Sequence, residues 1–113
     1  MVLVIGGVAS GKRAYVRSLG YGEHEVARSI ASPEPVLYGL EERLRSGDLA
    51  AHELDALLRK DVVVCCEVGL GVVPMDARDR AWRERVGRTC CMLAQHASKV
   101  VRMVCGIPVC IQE

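Results

Sequence analysis

Short apolar runs alternate with amphipathic stretches along this chain of 113 residues. Val2 to Ile5 is a continuous apolar run closed by Gly6-Gly7, the pattern of a strand buried on both faces that feeds a tight turn. Lys12 to Leu19 has helix-compatible spacing and stops at Gly20-Tyr21-Gly22. Glu25 to Ile30 reads as a weaker strand, closed by Ser32-Pro33-Glu34-Pro35, where two prolines exclude regular structure. Val36 to Arg45 and Leu49 to Arg59 repeat apolar residues at three- and four-residue steps, which predicts two short amphipathic helices. After Asp61 the run VVVCC predicts a second buried strand, leading into a polar, glycine-bearing loop from Glu67 to Asp76. Arg78 to His96 is the longest helical stretch, with Trp82, Val86, Leu93 and Ala97 for an apolar face. Lys99 to Val104 is a third strong strand, and Gly106 allows a turn into Ile107 to Ile111, an edge strand in which Pro108 is tolerated. Strands alternating with helices predict one α/β domain over residues 1–113: a mostly parallel sheet covered on both faces, with a C-terminal edge hairpin.

Composition narrows the functional classes. With 15 basic and 14 acidic side chains, no global field draws the chain toward nucleic acid or an acidic membrane surface, so any anion site must be local. No apolar run approaches the roughly 20 residues needed to span a bilayer, and Met1 leads straight into a strand without a basic leader. The expectation is a cytoplasmic protein. Cys65, Cys66, Cys90, Cys91, Cys105 and Cys110 include two adjacent pairs but no C-x-x-C, which argues against a zinc site and for cysteines serving as small buried hydrophobes. His24, His52 and His96 are scattered without ligand spacing, so no metal centre is expected from them.

The candidate chemistry lies at the first turn. Gly6-Gly7-Val8-Ala9-Ser10-Gly11-Lys12-Arg13 meets the phosphate-binding pattern G-x-x-x-x-G-K-[ST] up to its last position. Glycines let the chain come close to a triphosphate and aim backbone N–H groups at it, and Lys12 can reach the outer phosphates. The strand before and the helix after complete the context of a P-loop-type fold, and the ligand expected is ATP or GTP. Arg13 replaces the hydroxyl that ordinarily ligates magnesium, and a guanidinium has no lone pair for a cation. Arg13 can instead offer charge to phosphate, and Ser10 is a substitute hydroxyl. Binding is therefore better supported than metal-assisted phosphoryl transfer.

These residues, with a second motif further on, resemble the bifunctional adenosylcobinamide kinase/adenosylcobinamide-phosphate guanylyltransferases of cobalamin biosynthesis. That family opens on a strand and G-G-x-x-S-G-K-S, matched at Gly6, Gly7, Ser10, Gly11 and Lys12. It later carries N-E-V-G-x-G-I-V-P and a helix with R-x-F-R-D-x-x-G-R-x-N-Q. Here stand Glu67-Val68-Gly69, Gly71-Val72-Val73-Pro74, then Arg80, Trp82 in the aromatic place, Arg83-Glu84 and Gly87-Arg88. The resemblance implies phosphoryl transfer from ATP or GTP to the aminopropanol hydroxyl of adenosylcobinamide, and assembly as a homo-oligomer, a trimer in the family.

The departures bear on chemistry. Cys66 replaces the motif's Asn and Cys90-Cys91 its Asn-Gln pair. Arg43-Leu44 aligns with R-I-x-x-H, which puts Gly47 where the family has its guanylylated histidine, so transferase activity is expected to be lost. The family members resembled are also longer. The alternative to a kinase is a degenerate nucleotide-binding member or a regulatory or structural subunit. Glu67, after a buried strand, can act as a base or orient magnesium through water, or it can support the following turn. Of the arginines on the long helix, Arg80 and Arg83 match the family pattern and are the candidates for contacting phosphate or corrinoid; the rest are expected to be solvated.

Overall fold

The computed structural model describes residues 1–68 and 76–113. The expected loop around Gly69, Gly71 and Pro74 falls mostly outside them. The three strongest apolar runs form the middle of the sheet: β1 (Val2–Gly6), β4 (Val62–Cys66) and β5 (Lys99–Val104). β1 lies between the other two and parallel to both, with Gly6 opposite Cys66 on one side and Met103 on the other. The full order is β2-β3-β4-β1-β5-β6, where β2 is Val26–Ala27, β3 Val36–Tyr38 and β6 Ile107–Gln112. β6 is the antiparallel member, returning along β5 through Cys105 and Gly106, both at positive φ. The fold is thus α/β with a mostly parallel sheet and a C-terminal edge hairpin.

Alternation of side chains across the central strands divides the core in two. One face carries Leu3, Leu37, Val63, Cys65 and Val100 against α3 (Ala51–Leu58) and α4 (Ala77–His96). The other carries Val4, Val36, Val62, Val64, Val101 and Met103 against Val16 of α1 (Lys12–Ser18). Burial on both faces is why these strands read as unbroken apolar runs, and each fully buried Leu or Val contributes about 1.5–3 kcal/mol. α4 buries Val86, Thr89 and Leu93, a three- and four-residue step, and Asp76 caps it by accepting from Arg78 N at 2.7 Å. Trp82 anchors it to the helical segment Leu40–Arg43, donating from Nε1 to Glu41 O at 2.7 Å beneath the Arg45 guanidinium, 3.6 Å from the ring centroid.

Three expectations need correction. The stretch from Val36 to Arg45 is not one helix. Val36 and Leu37 bury on opposite faces as β3, Gly39 turns the chain at φ +85, and only then does α2 (Leu40–Arg43) begin, continued by a 3₁₀ turn at Leu44–Ser46. Leu40 and Leu44 are both fully buried, so the helical spacing that suggested one long element is real only beyond Gly39. The strand expected over Glu25 to Ile30 shrinks to Val26–Ala27, because Glu23–Glu25 form a 3₁₀ turn in which Glu25 accepts from Gly22 N. Cysteine burial also fails as a rule: Cys65 is buried, but Cys91, Cys105 and Cys110 are exposed, the last two on the outer hairpin.

The segment between α2 and α3 is tied by Arg43. Its guanidinium meets the two oxygens of Glu53 at 2.8 and 2.6 Å and also donates to Gly47 O and Asp48 O. Glu53 additionally accepts from Ala50 N at the start of α3. The Arg43 hydrogen bonds, then the Ala50 amide, hold the Glu53 carboxyl at about 2, below its ordinary 4.5. A depressed carboxyl pKa stabilises the fold above the unfolded value, and that contribution is lost as pH falls toward the folded value. Glu53→Gln is therefore expected to be less stable than the parent at neutral pH, with the difference narrowing between about 4.5 and 2, as urea unfolding at stepped pH would show.

Candidate functional site

The turn after β1 is shaped by close approaches that only small residues permit. A Cβ on Gly6 would lie 2.5 Å from Ser10 Oγ and 3.0 Å from Met103 O. Gly11, at φ +95, faces the β5–β6 turn, and a Cβ there would lie 3.0 Å from Gly106 Cα. Gly106 N donates to Ser10 O at 2.9 Å, so the hairpin clasps the loop from outside. Ala9 adopts φ +56, a conformation that stores strain in a residue bearing a side chain. Val8 stands 88% exposed at the tip.

Inside the loop, polar groups converge. Lys12 is buried, and its ammonium donates to Gly7 O at 2.5 Å. The Ser10 hydroxyl oxygen is buried with no hydrogen-bond partner among the described residues. No backbone carbonyl of the described residues accepts from the N–H groups of Val8, Ala9 or Gly11. Arg13 points away from this centre: its guanidinium lies over the Tyr38 ring, 4.7 Å from the centroid, and 3.7 Å from Glu23.

Glu67 follows β4 and is drawn beside the loop by the ladder, its N–H donating to Gly6 O at 2.8 Å. Its carboxylate pairs with Arg102 of β5, whose Nε lies 3.1 Å from Oε1 and 3.3 Å from Oε2. A cleft of about 280 Å³ opens over these groups, lined by Gly7, Ser10, Glu67, Arg102, Met103 and Cys105 among others. It sits at the carboxyl ends of β1, β4 and β5, where the chain leaves β1 toward β2 and β3 but leaves β4 toward β5. Crevices at such reversals are the usual ligand positions of open α/β sheets. Sequence reasoning missed Arg102. The available signal was a guanidinium in the middle of an apolar strand, KVVRMV.

Glu67 also borders a second cleft of about 280 Å³ on the α4 side, lined by Cys66, Val68, Arg83, Val86, Gly87 and Cys90. Arg83 therefore shares a surface with Glu67, whereas Arg80 lies exposed one turn earlier on the helix. A hydrogen bond with Cys90 and then burial push the Cys65 thiol up; burial does the same for Cys66. Both remain protonated, uncharged groups at neutral pH. Gly47 has φ +137 and lines neither cleft, standing on the loop that Arg43 ties.

For a nucleotide-bound magnesium ion, the Ser10 hydroxyl is the side-chain oxygen that the described residues of the loop leave without a partner. Arg13 brings no oxygen, Glu67 is committed to a guanidinium, and no group of three His, Cys, Asp or Glu among the described residues could hold a metal. His24, His52 and His96 are all exposed. No helix of the described residues is long and apolar enough to cross a membrane.

Residues 41–111 match the model of a family described as cobinamide kinase / cobinamide phosphate guanyltransferase. The match takes in Glu67, Arg83 and Arg102 and leaves the loop from Gly6 to Arg13 outside. A search of curated proteins found no match to the chain.

The loop's close contacts set a testable limit. Gly6→Ala and Gly11→Ala, the first by overlap with Ser10 Oγ and crowding against Met103 O and the second by its positive φ, are each expected to cost about 1–3 kcal/mol in urea unfolding. Gly7→Ala, with open space where its Cβ would stand, should cost less than either.

Proposed function

The chain belongs to the cobinamide kinase / cobinamide phosphate guanyltransferase family and so has a role in cobalamin biosynthesis, and within that role we propose that it binds ATP or GTP through Gly6 to Arg13 and phosphorylates a corrinoid. The acceptor in this reading is the aminopropanol hydroxyl of adenosylcobinamide. The observation that carries the proposal is the glycine turn at the end of β1: the N–H groups of Val8 and Ala9 meet no backbone carbonyl of the described residues, the buried Lys12 ammonium bonds back to Gly7 O, and Gly7 to Ser10 line a cleft with Glu67 at its edge.

Each residue has a stated task. The N–H groups of Val8, Ala9 and Gly11 receive phosphate oxygens, as preorganised donors do wherever charge must be held in place. Lys12 exchanges its bond to Gly7 O for the outer phosphates, a short movement of the ammonium on a flexible stem. Glu67 lies between the phosphate cleft and the one that Arg83 lines, so it is the carboxylate within reach of both donor and acceptor. Arg83, which lines that second cleft, orients the acceptor's anionic groups in this reading. Arg80, outside that cleft, supports the approach through its charge. Guanylyl transfer has no counterpart in this reading, since Gly47 offers no nucleophile.

A second reading is favoured by Arg13 and Gly47: a member that binds nucleotide without transferring it, as a regulatory or structural subunit. Incubation of the pure protein with adenosylcobinamide and γ-labelled ATP or GTP, with and without magnesium, separates the two. Labelled corrinoid is expected, with Lys12→Ala lowering its formation by about 10²-fold or more. Nucleotide binding without labelled corrinoid at high enzyme concentration would establish the second reading, and absence of any nucleotide binding would end both.

A further inference from the structure

We propose that Arg102 is a phosphate-binding residue, and that it supplies at this loop the positive charge for which related chemistry ordinarily recruits magnesium. The proposal rests on the nucleotide reading above and adds to it the ligand and its ionic form: a nucleoside triphosphate bound free of metal.

Arg102 stands opposite Ile5 in the parallel ladder, one residue short of the level at which β1 becomes the glycine turn. The ladder therefore fixes its Cα beside the loop, without depending on loop conformation. Its flanking residues Val101 and Met103 are 1% and 3% exposed and hold the strand in the core, while the Arg102 side chain is 42% exposed at the cleft. Both contacts to Glu67 use Nε. No hydrogen bond among the described residues engages the two terminal nitrogens. A guanidinium with an anchored Nε and uncommitted terminal N–H groups suits paired bonding to phosphate oxygens.

Charge balance gives the reason. A triphosphate concentrates several negative charges, and Lys12 alone offers one cation within the loop. Arg13 is engaged by Tyr38 and Glu23. With Arg13 bringing no oxygen and Glu67 paired, the loop offers magnesium only the Ser10 hydroxyl, which leaves side chains to supply the remaining neutralisation. Arg102 is the guanidinium lining the same cleft as Gly7 to Ser10. Glu67 acts as its keeper: the pair satisfies both charges until phosphate competes for the guanidinium. When Arg102 turns to phosphate, Glu67 is released toward the cleft shared with Arg83, so nucleotide binding and exposure of the acceptor-side carboxylate are one event.

The test is calorimetric titration of the intact protein with ATP, GTP and inorganic tripolyphosphate, in magnesium and in EDTA, for the parent, Arg102→Leu, Arg102→Lys, Glu67→Gln and Lys12→Ala, each checked for folding by circular dichroism. Parental affinity should change less than about 3-fold on removing magnesium. Arg102→Leu should weaken binding roughly 10- to 100-fold, as loss of charge-assisted hydrogen bonds requires, and Arg102→Lys should recover part of it. Glu67→Gln should bind at least as tightly as the parent, because the keeper is gone. Parental binding that needs magnesium, or equal binding by Arg102→Leu, overturns the inference and leaves the nucleotide reading intact. Equal losses in Arg102→Leu and Glu67→Gln also overturn it, since the pair would then serve the loop's shape alone. No binding by the parent in either condition removes both readings. Should Arg102→Leu fail to fold, the Arg102→Lys and Glu67→Gln titrations decide the matter by opposite shifts in affinity.

Discussion

β1 is buried between β4 and β5, and this constraint governs the geometry of the whole carboxyl-end surface of the sheet. A strand paired on both edges and covered on both faces cannot shift along its axis without breaking two ladders and two packed layers at once. The point where it leaves the sheet is therefore fixed to a fraction of a residue. The turn must be made in the space between Met103, Ser10 and the Gly106 turn, and a side chain at Gly6 or Gly11 would occupy that space. The glycines are consequences of the strand's burial before they are parts of any binding site, and the site uses the backbone geometry that burial imposes.

The same ladders assemble the charged groups. Gly6 opposite Cys66 brings Glu67 beside the loop, and Ile5 opposite Arg102 brings the guanidinium beside Glu67. Three separate stretches of chain are brought level by the two ladders, and the Glu67 and Arg102 side chains then meet across the end of β1. That arrangement explains how so small a sheet can carry two clefts sharing one carboxylate. It also explains why the outermost strand, β6, contributes no side chain to the lining of either cleft: its contribution is the Gly106 turn against Gly11, while Ile107, Val109 and Ile111 stay exposed along the edge.

Much of this was legible in the residues. VLVI, VVVCC and KVVRMV announced the central strands because both faces are apolar, and Gly6 to Lys12 announced the turn because close approach and positive φ demand glycine. The limits have equally physical causes. β3 and α2 share one apolar pattern, and only the conformation of Gly39 separates them, which spacing alone cannot reveal. β2 is two residues long and owes its existence to pairing with β3, a tertiary effect without local signal. Arg102 was passed over because a charged residue inside a strand says nothing about its partner until register is known. Cys105 and Cys110 were assigned to the interior by a burial tendency that the exposed hairpin does not obey.

Gly47 shows how the fold and the proposed loss of one activity reinforce each other. At φ +137 the position favours glycine over any residue with a side chain, and the surrounding turn is closed by Arg43, which donates to Gly47 O and Asp48 O while paired with Glu53. A histidine restored there would meet backbone strain and would stand on a turn held by those bonds. Glycine is thus built into the path of the chain between α2 and α3, and a side chain at this position would require rebuilding that turn. The loop after β1 departs from its motif at Arg13, while the strand, the glycines and the ammonium stand together there. Under the proposed function, the chain has kept the part of the chemistry that its central sheet enforces, and has given up the part that depended on a peripheral turn.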